Sequence, residues 1–427
     1  MNPAPPTSPP TLGLAVVLLL AAGPGAAQDA DLDALTLADT TPSEVATPSD
    51  WRRFVEIGLG SSHLRGSGDT RSQRRLSLDI QYDGALAPGW RALLANRLDL
   101  GQPALRDGEH AINTLKEAYL SWRTRPDSLL DLGRINVRHG VATGYNPTDY
   151  FRAGAVRAAV SINPASLKEN RQGSVMLRGQ QLWEGGSLSA LFSPGLDRQP
   201  ESEGLSPDLG ATNRQHRGLL VLSQRVGSLT PQLLAYQQEG QPTQLGLNLT
   251  GLVGAATVLH LESSSGRSPG QLAQALPTQA PCPCNGWHNR LSAGLTHTTA
   301  SKLTLTAEYH HNGAGLDGDD WRRLRQGPAP AYALYRQWAA SAQEMPTRRA
   351  VFLHGTWQDA LLPRLDLSAM HTLDLTDRSR RSWLEARYHQ ERLDYALQWQ
   401  AHSGGDTSVF GALPERRGWQ LSLRYYF

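Results

Sequence analysis

Apolar and polar residues alternate with a period of two in repeated segments between Trp51 and Phe427. Because successive side chains of a β-strand point to opposite faces, this pattern predicts strands with one apolar and one polar face. In the last segment, polar side chains and Tyr426 occupy one face. The other face carries Trp419, Leu421, Leu423, Tyr425 and Phe427. We therefore expect an all-β fold.

Short and long connections alternate between the predicted strands. Short ones lie at 83–89, 124–128, 183–187, 227–231, near Gly254, and at 299–302, 359–363 and 391–394. Longer polar ones lie at 61–73, 99–111, 138–172, 194–215, 264–288, 312–348 and 403–416, with short exceptions at 239–243 and 374–379. Tight turns at one end and long loops at the other are typical of transmembrane β-barrels. The pattern predicts an antiparallel barrel of about 18 strands, with short periplasmic turns and long outer loops.

The overall charge is nearly balanced, with 41 Lys and Arg against 39 Asp and Glu. No attraction to nucleic acid follows from this balance. Hydrophobic residues make up 39% of the chain, a fraction that suits a soluble protein or a transmembrane barrel, because only every second strand residue of a barrel faces lipid.

The first 50 residues divide into two segments. Residues 1–27 are predicted to be a signal peptide, because 12–22 form an apolar run and small residues precede a cleavage point after Ala27. Unlike most signal peptides, this one has no Lys or Arg before the apolar run. Residues 28–50 contain six acidic residues and no Lys or Arg, which predicts a disordered acidic periplasmic lead-in. A periplasmic partner that binds 28–50 is a further hypothesis. The barrel is expected over 51–427.

The terminal strand and one internal segment carry a resemblance to a known family. The strand GWQLSLRYYF (418–427) resembles the insertion signal of bacterial outer-membrane barrels, and LDLGRINVRHG (130–140) leads into a long loop that contains NPTDYF (146–151). The chain resembles porin-type barrels of the 18-strand kind, similar to substrate-selective porins and alginate-export-like channels. This resemblance implies a Gram-negative outer-membrane location, insertion by the barrel-assembly machinery, surrounding lipid and lipopolysaccharide, a small solute as ligand and no cofactor.

The resemblance also places the third long loop inside the pore. From 134 to 178 the sequence has seven basic residues against Asp149 and Glu169. Fixed cations in a confined pore concentrate anions, so we hypothesise a constriction that prefers anionic solutes. Its candidate residues are Arg134, Arg138, Arg152, Arg157, Lys168, Arg171 and Arg178. The alternative is that these residues pack the loop onto the wall through ion pairs with Glu56, Asp79, Glu117 and Glu308.

Aromatic residues in two loops are candidates for stacking against sugar rings. Tyr145, Tyr150 and Phe151 surround the NPTDYF turn, in which Pro147 also suits a purely structural role. Tyr335 and Trp338 share one face of a predicted short helix, and such a stripe most often seats a helix on the barrel mouth.

Other functions remain open alternatives. The second hypothesis is an export conduit for a polysaccharide or another secreted product. The third is a barrel enzyme, and the fourth is a non-conducting scaffold. The sequence contains no Gly-x-Ser-x-Gly or His-Glu-x-x-His motif, so no catalytic residue is assigned. Cys282, Cys284 and His288 provide too few ligands for a tetrahedral zinc site, so no metal is expected.

Overall fold

The computed structural model describes residues 49–197, 199–201, 203–277 and 286–427. The predicted signal peptide, residues 28–48 of the predicted lead-in, Cys282 and Cys284 lie outside these residues. Ser49–Phe427 form one compact unit. Its strands are β1 (Trp51–Leu64), β2 (Thr70–Ala87), β3 (Trp90–Gln102), β4 (Ala111–Arg125), β5 (Ser128–Ile135), β6 (Ser174–Trp183), β7 (Gly186–Ser193), β8 (Arg217–Gln224), β9 (Leu229–Gln238), β10 (Gln244–Val253), β11 (Thr257–Ser268), β12 (Gly286–Thr298), β13 (Leu303–Asn312), β14 (Arg349–Trp357), β15 (Leu365–Asp374), β16 (Arg380–His389), β17 (Leu393–Ser403) and β18 (Glu415–Tyr426).

Each strand pairs in antiparallel fashion with its neighbours in sequence, and β1 also pairs with β18. Val55 lies opposite Tyr425, and Leu59 lies opposite Leu421, so the last strand closes the ring against the first. The prediction of an all-β, antiparallel barrel of 18 strands is confirmed.

The barrel has one end with short turns, here called the turn end, and one with longer connections, here called the loop end. We number the loop-end connections L1 to L9 in chain order. L3 (136–173), L4 (194–216) and L7 (313–348) are the ones used below. The expectation of a long first loop at 61–73 is wrong, because β1 and β2 stay paired as far as His63 and Thr70 and leave only 65–69 between the strands.

Short helices lie within the loops, at α1 (Pro164–Glu169), α2 (Leu209–Thr212), α3 (Gln271–Ala275), α4 (Gly318–Gln326) and α5 (Ala329–Ala342). In the described ranges, none of the helices is both long and apolar enough to cross a bilayer. Asp317 begins α4 by accepting hydrogen bonds from the amides of Asp319 and Asp320, so the acidic DGDD run is a helix cap.

The alternation of faces weakens on the strands near L3. On β8, Leu219 and Val221 point inward and are buried, whereas Leu220 and Leu222 point outward and are 47% and 41% exposed. The inward pair belongs to an apolar cluster that includes Phe151 of L3. Both faces of β8 are apolar because its inner face is covered by a loop, and this explains why the sequence alternates poorly there.

Candidate functional site

L3 leaves β5 and enters the lumen, where two glutamates of the distant wall bind its backbone. Glu262 of β11 accepts hydrogen bonds from the amides of Val141 (2.9 Å) and Ala142 (3.1 Å). It also accepts from the amide (2.7 Å) and hydroxyl (2.9 Å) of Thr148 and from Nδ2 of Asn146 (3.1 Å). The carboxylate is fully buried, and these donors replace the water that it loses.

Glu308 of β13 binds the adjacent part of the loop. The amides of Thr143 and Gly144 donate to its two carboxylate oxygens at 2.6 and 2.9 Å. Nε2 of His310 lies 2.8 Å from Oε2, and Nε2 of His260 lies 3.0 Å from Oε1. Two wall carboxylates therefore hold the segment 141–148, which we call the L3 tip.

Glycine permits these close approaches at two positions. Gly140 has a φ of +107°, and a Cβ there would lie 2.7 Å from the Glu262 carboxylate oxygens. Gly294 of β12 stands between His260 and Glu308 in the register, and a Cβ there would lie 2.8 Å from Nε2 of His260. Without a side chain at Gly294, the histidine reaches the glutamate across the intervening strand.

L7 binds the L3 tip from the loop end. Glu344 accepts hydrogen bonds from the hydroxyl of Tyr145 (2.8 Å) and from Arg152 (2.6 Å). Burial raises the pKa of the Glu344 carboxyl, but Arg152 and Arg290 outweigh it and hold this pKa below its ordinary value. Burial, followed by the nearby Glu344 charge, raises the pKa of Tyr145. L3 and L7 thus meet through an ionised glutamate.

Four of the predicted basic residues are buried against fixed partners. Arg171 binds Asp149 at 2.6 and 3.2 Å, and Arg157 donates to the carbonyls of Asn113 and Glu203 at 2.6 and 2.9 Å. Arg134 donates to a carbonyl of L4, and Arg152 binds Glu344. These cations fix the course of L3 and L4.

The other three predicted basic residues keep contact with the lumen. Arg178 binds Asp131 at 2.8 Å and remains partly exposed. Lys168 donates to the carbonyl of Ala142 at 3.1 Å. Arg138 is exposed and forms no ion pair among the described residues, but its charge interacts electrostatically with the carboxyls of Glu117 and Glu169.

The predicted stacking rings contact other protein groups. Tyr150 lies parallel to Tyr236 with 4.4 Å between ring centroids, and burial raises its pKa to about 12. Phe151 belongs to the apolar cluster that covers β8. Tyr335 is fully buried, with Trp338 stacked 6.5 Å away.

A charge network on β1–β4 and β18 was not anticipated from the sequence. Arg97 lies 3.0 Å from Asp99 and 3.5 Å from Glu56, and Lys116 lies 2.7 Å from Asp79. Arg75 and Arg424 complete the network through Glu56, at 2.7 and 2.8 Å. Opposite charges at inward positions of neighbouring strands are the sequence signal that could have revealed it.

Porins are among the solved structures that this barrel resembles.

OccAB1 of Acinetobacter baumannii has 9% identity and a TM-score of 0.56, with 88% of this chain and 96% of that chain covered. OccK5 (OpdH) of Pseudomonas aeruginosa has 10% identity and a TM-score of 0.51, with 88% and 98% covered. A triple mutant of the Rhodopseudomonas blastica porin has 12% identity and a TM-score of 0.43, with 88% and 99% covered. No family model and no curated protein matches the chain. The similarity establishes a porin-like fold.

Below L3, toward the turn end, the wall of this porin-like barrel lines a cavity of about 870 Å³. Arg91, Arg123 and Arg178 line it together with Asp83 and Asp131. Arg91 pairs with Asp83, and Arg178 pairs with Asp131. Arg123 is exposed and has no ion pair among the described residues, so the cavity presents an unpaired cation. No group of three or more metal-binding side chains occurs in the described ranges.

Proposed function

We propose that this protein is a channel of the bacterial outer membrane for small solutes, with a preference for anions. The observation that carries the proposal is the L3 tip, which crosses the lumen and is held by Glu262 and Glu308 on the distant wall. A loop fixed across a barrel narrows its passage, so this arrangement favours small solutes over an exported polymer.

Exposed lumen cations support the anion preference. Arg138 of L3 and Arg123 of the cavity are exposed without an ion pair in the described chain. The charge network adds four cations, Arg75, Arg97, Lys116 and Arg424, against the carboxylates of Glu56, Asp79 and Asp99. An excess of fixed positive charge in a confined passage raises the local concentration of anions.

Reversal potentials in planar bilayers test both parts of the proposal. We expect a conducting, anion-preferring channel in a KCl gradient. Arg138→Gln should lower the chloride-to-potassium permeability ratio by about twofold to fivefold, because one unit charge at close range contributes about 0.5–1 kcal/mol in water-like surroundings. Arg225→Gln, which removes one exposed charge from the turn between β8 and β9, is the matched control and should change nothing.

The two parts fail separately. A folded barrel that inserts and never conducts would contradict the channel itself. A cation-preferring channel whose permeability ratio is the same in Arg138→Gln would contradict only the anion preference.

A further inference from the structure

The outward face of the barrel differs between its two ends. At the turn end it carries aromatic residues, with Trp90 stacked on Trp122 at 5.3 Å and Tyr425 against Phe427 at 5.1 Å. At the loop end it carries arginines on five strands. They are Arg74, Arg267, Arg349, Arg380 and Arg417. The two leaflets around the barrel therefore meet different chemistry.

These five arginines have no carboxylate partner on the surface that they share. None of them forms an ion pair with any described residue, and no Asp or Glu occupies an outward position of the described strands. An arginine at a membrane surface without an acidic neighbour is free to bind an anion from the surroundings.

One group of outward polar side chains lies where β15 to β18 meet β1. In the strand register, Arg417 lies opposite His63 on β1. On its other side, the residues at the same level are Ala401 on β17, Ser382 on β16 and His371 on β15. Nδ1 of His371 lies 2.9 Å from Oγ of Ser382. Arg380 follows two residues from Ser382 toward the loop end. We call His63, His371, Arg380, Ser382 and Arg417 the rim patch.

The rim patch lies directly above an apolar row. The next outward row toward the turn end contains Leu384, Trp399 and Trp419, which lie opposite one another on three adjacent strands. At a strand spacing of about 4.8 Å, the patch spans about 19 Å across five strands, which is wide enough for a disaccharide head group. A ligand that fits both layers has anionic head groups above acyl chains.

We propose that the rim patch binds the phosphates of a phosphorylated glycolipid of the outer leaflet, the lipid A part of lipopolysaccharide. Arg380 and Arg417 offer planar donor pairs that match phosphate oxygens, while His371 and Ser382 offer hydrogen bonds to the sugar. Leu384, Trp399 and Trp419 lie where the acyl chains of the same molecule would pack. Free phosphate would contact only the rim patch and not the apolar row of Leu384, Trp399 and Trp419. The inference rests on the outer-membrane location in the proposed function.

Native mass spectrometry of the protein refolded without lipid provides the test. The probes are bisphosphorylated lipid A and enzymatically dephosphorylated lipid A. We expect the refolded protein to retain the first and not the second. Arg380→Gln with Arg417→Gln should weaken retention by about tenfold or more, because each arginine near a charged lipid surface contributes about 1 kcal/mol and direct phosphate contacts add to it.

Arg53→Gln with Arg225→Gln is the matched control. It also removes two positive charges, from the outward turn-end position of β1 and from an exposed turn, and should retain lipid A like the unaltered protein. Equal retention by the rim variant, or equal retention of dephosphorylated lipid A, would overturn the proposal. A heat-modifiable gel shift and unchanged conductance of the rim variant show that it has folded. If the unaltered barrel fails to insert into bilayers, the proposed function has failed instead.

Discussion

Two parts of the lumen wall carry buried charges and use them differently. On β1–β4 and β18, Arg97 and its neighbours bind carboxylates of adjacent strands, so these charges are paired within the wall. On β11 and β13, Glu262 and Glu308 bind backbone amides of a loop that arrives from β5. The same chemical device, a buried polar side chain with several hydrogen bonds, stabilises the barrel in the first region and positions the constriction in the second. A substitution in the first region should affect unfolding, and one in the second should affect conductance.

The largest effect is expected from Glu262→Gln combined with Glu308→Gln. The neutral amides cannot accept the same set of donors, so the L3 tip should lose at least about 5 kcal/mol of docking free energy, since each hydrogen bond to a charged acceptor contributes about 1.5–3 kcal/mol. Single-channel conductance should rise as the L3 tip leaves the lumen. Glu385→Gln is the control, because Glu385 is an inward carboxylate that binds Arg387 and Gln398 on β16 and β17. Unchanged conductance in the double variant would remove the distinction between the two regions.

A smaller effect, on stability alone, is expected from Arg97→Gln. Its side chain is 2% exposed and contacts Glu56, Asp79 and Asp99, so its removal takes one cation from three buried carboxylates, each of which keeps another basic partner. The free energy of unfolding in urea should fall by up to about 3 kcal/mol, the lower end of the cost of breaking a buried ion pair on one side. Single-channel conductance of the folded fraction should stay the same. A change in conductance as large as that of the glutamate variant would show that both regions position L3.

The smallest effect is expected at the contact between L3 and L7. Glu344→Gln should weaken this contact by about 2 kcal/mol, because Arg152 and Tyr145 lose a charged acceptor. Amide hydrogen exchange across 339–348 at pH 7 should speed up accordingly.

The same contact predicts a pH response in the unaltered protein. The pKa of Glu344 is lower in the folded protein than its ordinary value of 4.5. The ionised carboxylate therefore stabilises the contact between L3 and L7 fully above that pH, and this stabilisation is lost only as the solution becomes more acidic. Exchange across 339–348, corrected for its intrinsic pH dependence, should be unchanged from pH 8 to pH 5. A step within that range would show that another group controls the contact.

The fold could be predicted because its determinants are local. Alternation in the last strand assigns Leu421 and Leu423 to one face without knowledge of any other strand, and the pleat of the backbone enforces this assignment. The same rule placed Glu308 on the inner wall. It failed on β8, where Leu219 and Val221 face inward, because the loop that covers them comes from a distant part of the chain.

The candidate site could be predicted only in part. The basic bias of L3 is visible in the sequence, but the partners of Arg152 and Arg157 lie in L7, L4 and β4. Glu262 gave no signal as a ligand of L3, because its donors are mainly backbone amides, which every residue except proline possesses.

The sequence by itself determined which face each strand presents, that the strands form a barrel, and that turns and loops separate to opposite ends. Tertiary structure alone decided that L3 is tied across the lumen and that Arg138, among seven basic candidates, stays exposed without an ion pair in the described chain. The physical reason is the range of the interactions. Strand faces follow from neighbouring residues, whereas the bond between Val141 and Glu262 joins groups 121 residues apart, and only the closed barrel brings them together.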